Sequence, residues 1–146
     1  RLVLQCGERD RERMNAVAAG RRGFVVRAFE DDPSALYSCA SLAVARAGAM
    51  TLAELCRFSL PSILIPYPSA ALDHQTANAE AAAETGGALI VRESGLDPRS
   101  FWDTVSDLLA DRSRLASMSA GMGALFPPDS AGTVAGLLIE AGGSGR

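Results

Sequence analysis

The chain has 146 residues, of which 48% are hydrophobic and 21% are charged, and its formal net charge is -3. This composition excludes a disordered or fibrous protein and predicts one domain, residues 1–146, with a sizeable core. The basic residues, all arginines, form no basic block, which argues against nucleic acid as a partner. No apolar run approaches the roughly 18 residues that span a bilayer.

The chain begins at Arg1, directly in a strand-like run, and we expect it to be a fragment of a longer protein. Its three cysteines, Cys6, Cys39 and Cys56, are far apart and form no Cys-x-x-Cys pair. Their number and spacing indicate a reducing compartment and buried thiols.

In the first part of the chain, residues 2–7 are predicted to form a strand that ends in a turn. Residues 8–19 carry apolar side chains on one side, which predicts an amphipathic helix closed by Gly20. Residues 24–26 form the next predicted strand. Asp31-Asp32-Pro33 then opens a short helix, and capping by Asp32 explains this acidic pair more simply than a metal site does.

The second part contains three more predicted strands, residues 42–44, 62–66 and 87–91. A short helix is predicted after Gly48 and Ala49, with Leu52, Leu55 and Phe58 on its inward face. Further helices are predicted over residues 73–84, 97–110 and 133–141 and from Asp111 onward. Pro66 and Pro68 predict a loop over residues 67–72, the run 126–128 breaks the chain, and residues 142–146 are expected to be a mobile tail.

Strand and helix therefore alternate five times, which predicts an α/β fold with a mostly parallel sheet and helices on both faces. In such sheets, ligands bind beyond the carboxyl ends of the strands. The turn after Val44 and the loop after Ile65 both leave the sheet at that edge. The sequence thus predicts that these two segments share one rim.

The first of these segments is the best candidate for a ligand site. Gly48 and Ala49 are small enough for a ligand to approach the backbone, and the helix that follows offers unpaired N–H groups to phosphate. Glu54, about one turn later, suits a diol. However, Thr51 and Glu54 also fit the Ser/Thr-x-x-Glu capping box, and the tetrapeptide taken alone favours the cap.

The joint pattern of motifs resembles a known family, although His74, Gln75 and Asn78 would each be ordinary solvated polar groups if taken singly. The segments that carry the resemblance are Gly48-Ala49-x-Thr51-x-x-Glu54, Leu60-Pro61, Ile65-Pro66 and Asp73-His74-Gln75-x-x-Asn78-Ala79. Residues 2–91 are similar to the C-terminal, donor-binding half of the bacterial undecaprenyldiphospho-muramoylpentapeptide β-N-acetylglucosaminyltransferases of glycosyltransferase family 28.

The resemblance implies roles for particular residues. The backbone of Ala49, Met50 and Thr51 would hold the UDP phosphates, and Glu54 would bind the ribose hydroxyls. The backbone of Glu30 would hold uracil. His74 and Gln75, which open the fourth predicted helix, would contact the sugar hydroxyls. The complete set of implied donor-site residues is Glu30, Gly48, Ala49, Met50, Thr51, Leu52, Ala53, Glu54, His74, Gln75 and Asn78.

The family also implies a Rossmann-like C-terminal domain of a GT-B enzyme, here lacking its first strand and helix, that binds UDP-N-acetylglucosamine for an inverting transfer in peptidoglycan synthesis. No cofactor or metal is implied, and no Asp-x-Asp signature lies near the rim. No catalytic side chain is assigned; the backbone at Met50 and Thr51 would stabilise the leaving group. Ser69 departs from the histidine that many members carry.

The lipid-linked acceptor would bind through the N-terminal domain of the parent protein, which would be cytoplasmic and peripheral at the cell membrane. The fragment is expected to be inactive alone. Two alternatives stay open. One is the donor-binding subunit of a two-chain N-acetylglucosaminyltransferase; the other is a related nucleotide-sugar enzyme, such as a 2-epimerase or a natural-product glycosyltransferase.

Overall fold

A computed structural model of the chain describes residues 1–68, 73–126 and 129–143. The chain divides into two compact units, Arg1–Leu36 and Tyr37–Arg146, and the strand pairs in each unit are parallel. The predicted α/β class with parallel strand pairing is therefore confirmed. The assignment of residues 1–146 to a single domain stays a prediction.

The first unit contains two strands joined through a helix. Strand β1 covers Leu2–Gln5, a 3-10 turn covers Glu8–Asp10, helix α1 covers Arg11–Ala18 and strand β2 covers Phe24–Arg27. The predicted helix thus begins as a tighter 3-10 turn. Gly20 has φ 74°, a left-handed conformation that glycine adopts without steric cost, and it ends the helix as predicted.

The second unit contains a three-stranded sheet in the order β3-β4-β5. Its strands are β3 (Ala43–Ala45), β4 (Ser62–Leu64) and β5 (Ala88–Ile90). The remaining helices are α2 (Ser34–Cys39, which crosses the boundary between the units), α3 (Ala49–Arg57), α4 (His74–Glu84), α5 (Pro98–Ala110), α6 (Arg112–Gly123) and α7 (Ser130–Gly143), and a 3-10 turn covers Glu93–Gly95.

Helices cover both faces of this sheet. Successive side chains of β4 point to opposite faces, and each face packs against a different helix. Ile63 packs with Val105 and Leu108 of α5, whereas Leu64 packs in a second cluster with Leu52 of α3. Ile63, Leu64 and Leu108 are fully buried. Burial of each such side chain contributes about 1.5–3 kcal/mol, so these two clusters fix the sheet against its helices.

The predicted aspartate caps are found where they were expected. The N–H of Ser34 donates to Asp32 at 3.0 Å, and the N–H of Ser100 donates to Asp97 at 2.8 Å. Hydrogen bonds favour the ionised carboxylate: the Ser34 side chain and then its N–H lower the pKa of Asp32, and the Ser100 N–H and then its side chain lower the pKa of Asp97. Asp111 caps α6 in the same way.

Two predictions are corrected by the structure. The thiols are not all buried: Cys56 is buried, but Cys39, the last residue of α2, is exposed. Helix α7 is longer than predicted and includes Gly142 and Gly143 of the expected tail. The parts of the predicted loop and breaks that fall on residues 69–72, 127–128 and 144–146, including Ser69, lie outside the described residues.

Candidate functional site

The carboxyl ends of the three strands in the second unit lie side by side. Ala45 of β3 is opposite Leu64 of β4, and Leu64 is opposite Ile90 of β5. Because the strands are parallel, the chain leaves all three at the same edge of the sheet. This edge, with the segments at residues 46–48, 65–68 and 91–93, is called the rim below. The prediction that the two motif-bearing segments share one rim is confirmed.

The segment after β3 turns directly into helix α3. Gly48 is the N-cap, with an extended backbone, and its carbonyl accepts the first helical hydrogen bond from the Leu52 N–H at 2.9 Å. The N–H groups of Ala49, Met50 and Thr51 therefore have no intrahelical acceptor, and within the described residues no side chain caps them. Three backbone donors at the positive end of the helix dipole suit an anion, and residues 48–51 are called the anion-binding turn below for that candidate role.

Gly48 does not need to be glycine for conformational reasons. Its φ is -69°, which any residue adopts, and a Cβ at this position would lie 3.8 Å from the Thr51 Oγ1, an ordinary contact distance. The absence of a side chain here leaves the backbone of the turn open to a ligand.

The capping box suggested by Thr51 and Glu54 is wrong. Thr51 is the third residue of α3 rather than its cap, and Glu54 lies a turn further on. The Glu54 carboxylate instead accepts a hydrogen bond from the Tyr37 hydroxyl at 2.9 Å, measured to Oε2. Burial, and the hydrogen bond with its negatively charged partner, raise the pKa of Tyr37 to about 12, so the hydroxyl stays a donor at neutral pH.

Helix α4 is attached to the rim by two side-chain amides. Asn78 Nδ2 donates to the Ala47 carbonyl at 3.0 Å, and the Tyr67 N–H donates to Gln75 Oε1 at 3.0 Å. These bonds fix the orientation of both amides. Among the residues that the structure describes, nothing bonds the Gln75 amino group or the Asn78 carbonyl oxygen, so the first can donate to a ligand and the second can accept. Asn78 thus ties α4 to the anion-binding turn.

Arg46 connects all three segments of the rim. Its Nη1 lies 2.7 Å from Glu93 Oε2 and also donates to the carbonyls of Ile65 at 3.2 Å and Pro66 at 3.3 Å. Its guanidinium lies 5.4 Å from the centroid of the Tyr67 ring, a cation–π distance. Beside it is an open cleft of about 470 Å³ lined by Val44, Ala45, Arg46, Ile65, Glu93 and Leu96.

Sequence reasoning missed the roles of Tyr37 and Arg46. Tyr37 lies 17 residues before Glu54, a separation that no helical or strand period connects. Arg46 had one available signal, its position directly after a predicted strand at the ligand-binding edge.

The predicted site residues are only partly brought together. Residues 48–54, Gln75 and Asn78 lie along α3, the rim and the start of α4, and His74 is exposed as the first residue of α4. The Leu52 side chain is only 2% exposed and belongs to the core, so it offers a ligand no more than its backbone. Glu30 follows β2 in the other unit, where Arg27 Nε lies 3.9 Å from its carboxylate.

Comparison with known proteins identifies the family. Residues 1–133 match the model of the glycosyltransferase family 28 C-terminal domain. The chain is 46% identical, over 122 residues, to UDP-N-acetylglucosamine--N-acetylmuramyl-(pentapeptide) pyrophosphoryl-undecaprenol N-acetylglucosamine transferase of Syntrophotalea carbinolica. That match covers 82% of this chain and 34% of the relative, so the chain spans about a third of the length of such relatives.

Solved structures agree with this assignment. The crystal structure of MurG from Acinetobacter baumannii matches with a TM-score of 0.84 and 30% identity, covering 94% of this chain and 42% of that chain. The glycotransferase of kitacinnamycin matches in fold, with a TM-score of 0.62 and 23% identity over 96% of this chain and 34% of that chain. The chain belongs to the glycosyltransferase family 28 C-terminal domain family.

Proposed function

We propose that this chain is the donor-binding part of an inverting glycosyltransferase that takes N-acetylglucosamine from UDP-N-acetylglucosamine. Its acceptor would be undecaprenyl-diphosphate-linked N-acetylmuramyl-pentapeptide, and the reaction a step of peptidoglycan synthesis. The names of the curated relatives support this choice of substrates. The observation that carries the proposal is the anion-binding turn at residues 48–51 with the Glu54 carboxylate one turn beyond it.

The nucleotide would bind along the start of α3. The N–H groups of Ala49, Met50 and Thr51 suit the diphosphate, because charge-assisted hydrogen bonds to backbone amides are strong. Glu54 would accept hydrogen bonds from the two ribose hydroxyls. Leu52 and Ala53 would contribute backbone only, and the backbone of Glu30 would hold uracil.

The transferred sugar would lie against the start of α4. Gln75 is held by the Tyr67 amide, so that its amino group is the donor left for a sugar hydroxyl. His74 is exposed beside it and would supply a second polar contact. Asn78 is tied to the Ala47 carbonyl and would keep this helix aligned with the diphosphate turn.

Catalysis in this half would consist of leaving-group stabilisation. Negative charge grows on the UDP phosphate as the glycosidic bond breaks, and the amides at Met50 and Thr51 would meet that charge without reorganising. A helix N-terminus contributes up to about 2 kcal/mol in a partly buried geometry. The base that deprotonates the acceptor would belong to the N-terminal half of the parent protein.

The proposed acceptor would bring the parent protein to a membrane. A lipid-linked substrate requires peripheral contact, which we propose occurs at the cytoplasmic face through the N-terminal half. Among the described residues, no helix has the length and apolar character needed to cross a bilayer.

The ribose role of Glu54 can be tested in the full-length parent protein by calorimetric titration with UDP-N-acetylglucosamine. We expect Glu54→Ala to weaken donor binding about 10- to 100-fold, the usual range for lost hydrogen bonds to a charged group. Glu84→Ala, at the exposed end of α4, is the matched control and should bind the donor normally. Unchanged affinity in Glu54→Ala would contradict the proposal.

The acceptor is tested separately, by offering the parent protein lipid-linked muramyl pentapeptide and a macrolide aglycone with the same donor. Transfer to the lipid-linked substrate is the expected result. Transfer to the macrolide alone would instead indicate a natural-product glycosyltransferase.

A further inference from the structure

The carboxylate proposed to bind ribose has a partner in a different helix. Tyr37, in α2, donates its hydroxyl to Glu54 Oε2 at 2.9 Å. The Tyr37 ring is itself held against Phe58, with the ring centroids 5.6 Å apart and the planes tilted by 45°. Tyr37 and Phe58 both pack against the core cluster that contains Leu52 and Leu55.

We propose that Tyr37 is a positioning residue of the donor site, whose hydroxyl holds the Glu54 carboxylate in the orientation that accepts the ribose diol. This inference rests on the proposed function, because it gives Glu54 the ribose-binding role.

The hydrogen-bonding capacity of the carboxylate is compatible with both partners. An ionised carboxylate offers about four acceptor positions on its two oxygens. Tyr37 occupies one of them on Oε2, which leaves Oε1 and the remainder of Oε2 for two hydroxyl donors of a vicinal diol. Tyr37 therefore does not compete with ribose for Glu54.

The benefit to binding is pre-organisation. A glutamate side chain has several rotatable bonds, and ordering it on binding reduces affinity. The Tyr37 ring is fixed by Phe58, so the hydroxyl is a rigid donor that orders the carboxylate before the nucleotide arrives. The pKa of Tyr37, raised to about 12, keeps this donor protonated at neutral pH.

The test is Tyr37→Phe in the full-length parent protein, which removes the hydroxyl and keeps the ring. Affinities for UDP and for 2′,3′-dideoxy-UDP are measured by calorimetry. We expect UDP to bind about three- to tenfold more weakly and the dideoxy nucleotide to bind as before, so the ratio between them falls by the same factor. In steady-state assays the KM for UDP-N-acetylglucosamine should rise while kcat changes little.

A merely structural role for Tyr37 predicts a different result. Equal weakening of both nucleotides, or no change in either, would overturn the inference. Thermal unfolding of the variant is measured in parallel, and the ratio of affinities reports only on folded protein that binds.

Glu54→Gln separates this inference from the proposed function. If Glu54→Gln leaves the preference for UDP over 2′,3′-dideoxy-UDP intact, Glu54 does not bind the ribose, and the inference about Tyr37 fails with that role. If Glu54→Gln loses the preference and Tyr37→Phe does not, only the role of Tyr37 is wrong. Two results together support the inference. Tyr37→Phe as a single substitution reduces the preference for UDP over 2′,3′-dideoxy-UDP, and it reduces that preference no further when Glu54→Gln is already present.

Discussion

Gly48 lies where the chain leaves β3 and enters α3, with a backbone conformation and surrounding space that would accept alanine. Folding alone therefore does not explain a glycine at this position. Close approach of the proposed diphosphate to the backbone would explain it, because a methyl group would take up space beside the amides of the turn.

We predict that Gly48→Ala keeps the fold and damages the site. Alanine is a poorer N-cap than glycine but restricts the unfolded chain, so the free energy of unfolding should change by no more than about 1 kcal/mol. Affinity of the full-length parent protein for UDP should fall about tenfold or more, because the added methyl group forces the diphosphate away from the amides. Chemical denaturation and calorimetry measure the two quantities.

Gly87→Ala is the matched control for this substitution. A Cβ at Gly87 would lie 2.5 Å from the backbone of Met122, so α6 must shift to accommodate it. We expect this variant to lose about 1–3 kcal/mol of stability. A loss of stability in Gly48→Ala as large as that in Gly87→Ala would contradict the interpretation of Gly48.

Glu54 shows what the sequence could and could not predict at the scale of a residue. Its position one turn into α3 follows from local spacing. Its suitability for a diol follows from the carboxylate, which accepts hydrogen bonds. The tetrapeptide taken alone favoured the cap, and the structure contradicts that choice, because Thr51-x-x-Glu54 fits the capping-box pattern without marking a helix start here. The helix begins at Ala49, before Thr51, and the partner of Glu54 comes from a helix that is distant in sequence.

Secondary-structure elements were predicted best where local chemistry determines their ends. Asp97 caps its helix as expected, and Asp111, predicted to start the next helix, is the N-cap of that helix, since an N-cap depends on residues within one turn. The strand predicted over residues 62–66 ends earlier, at Leu64. Pro66 has no N–H to extend the ladder, and an apolar run alone does not show where pairing stops.

At the rim, the contacts of Arg46 join segments that are distant in the sequence. It reaches the carbonyls of Ile65 and Pro66 and the carboxylate of Glu93, and the neighbouring Tyr67 amide orients Gln75. Arg46 therefore supports the part of the proposed site that would contact the sugar, and it does so through the loop after β4.

We predict that Arg46→Lys selectively weakens recognition of the sugar. All three hydrogen bonds of Arg46 come from Nη1, and its planar guanidinium also lies over the Tyr67 ring. Lysine lacks that planar group, so the loop that orients Gln75 should loosen. In the parent protein, affinity for UDP-N-acetylglucosamine should fall about three- to tenfold more than affinity for UDP. Arg112→Lys, at the exposed first residue of α6 and outside the rim, is the control and should affect neither ligand. Equal loss for both ligands in Arg46→Lys would count against this role.

For the molecule as a whole, the alternation of strands and helices predicted parallel pairing correctly but not which strands pair. The ladders connect β1 with β2, and β3 with β4 and β5, as two separate groups. Periodicity identifies the buried face of each element, whereas pairing depends on contacts between distant segments. The assignment to glycosyltransferase family 28 came from the joint motif at the rim, which is more specific than the fold.

The proposed chemistry predicts that the full-length parent protein works without a divalent metal ion. In a metal-dependent transferase, the cation neutralises the charge that develops on the departing diphosphate. Here the amides of Ala49, Met50 and Thr51, already oriented by the helix, would meet that charge. Transfer of N-acetylglucosamine to the lipid-linked acceptor, measured after removal of metals with EDTA, should stay within about twofold of the untreated rate. A loss of about 1.4 kcal/mol of transition-state stabilisation would already slow it about tenfold. Gly48→Ala, assayed beside it, should lower the rate in either buffer, because it obstructs the same amides. A large loss of activity in EDTA that Mg²⁺ restores would mean that a cation performs the role given to the helix N-terminus.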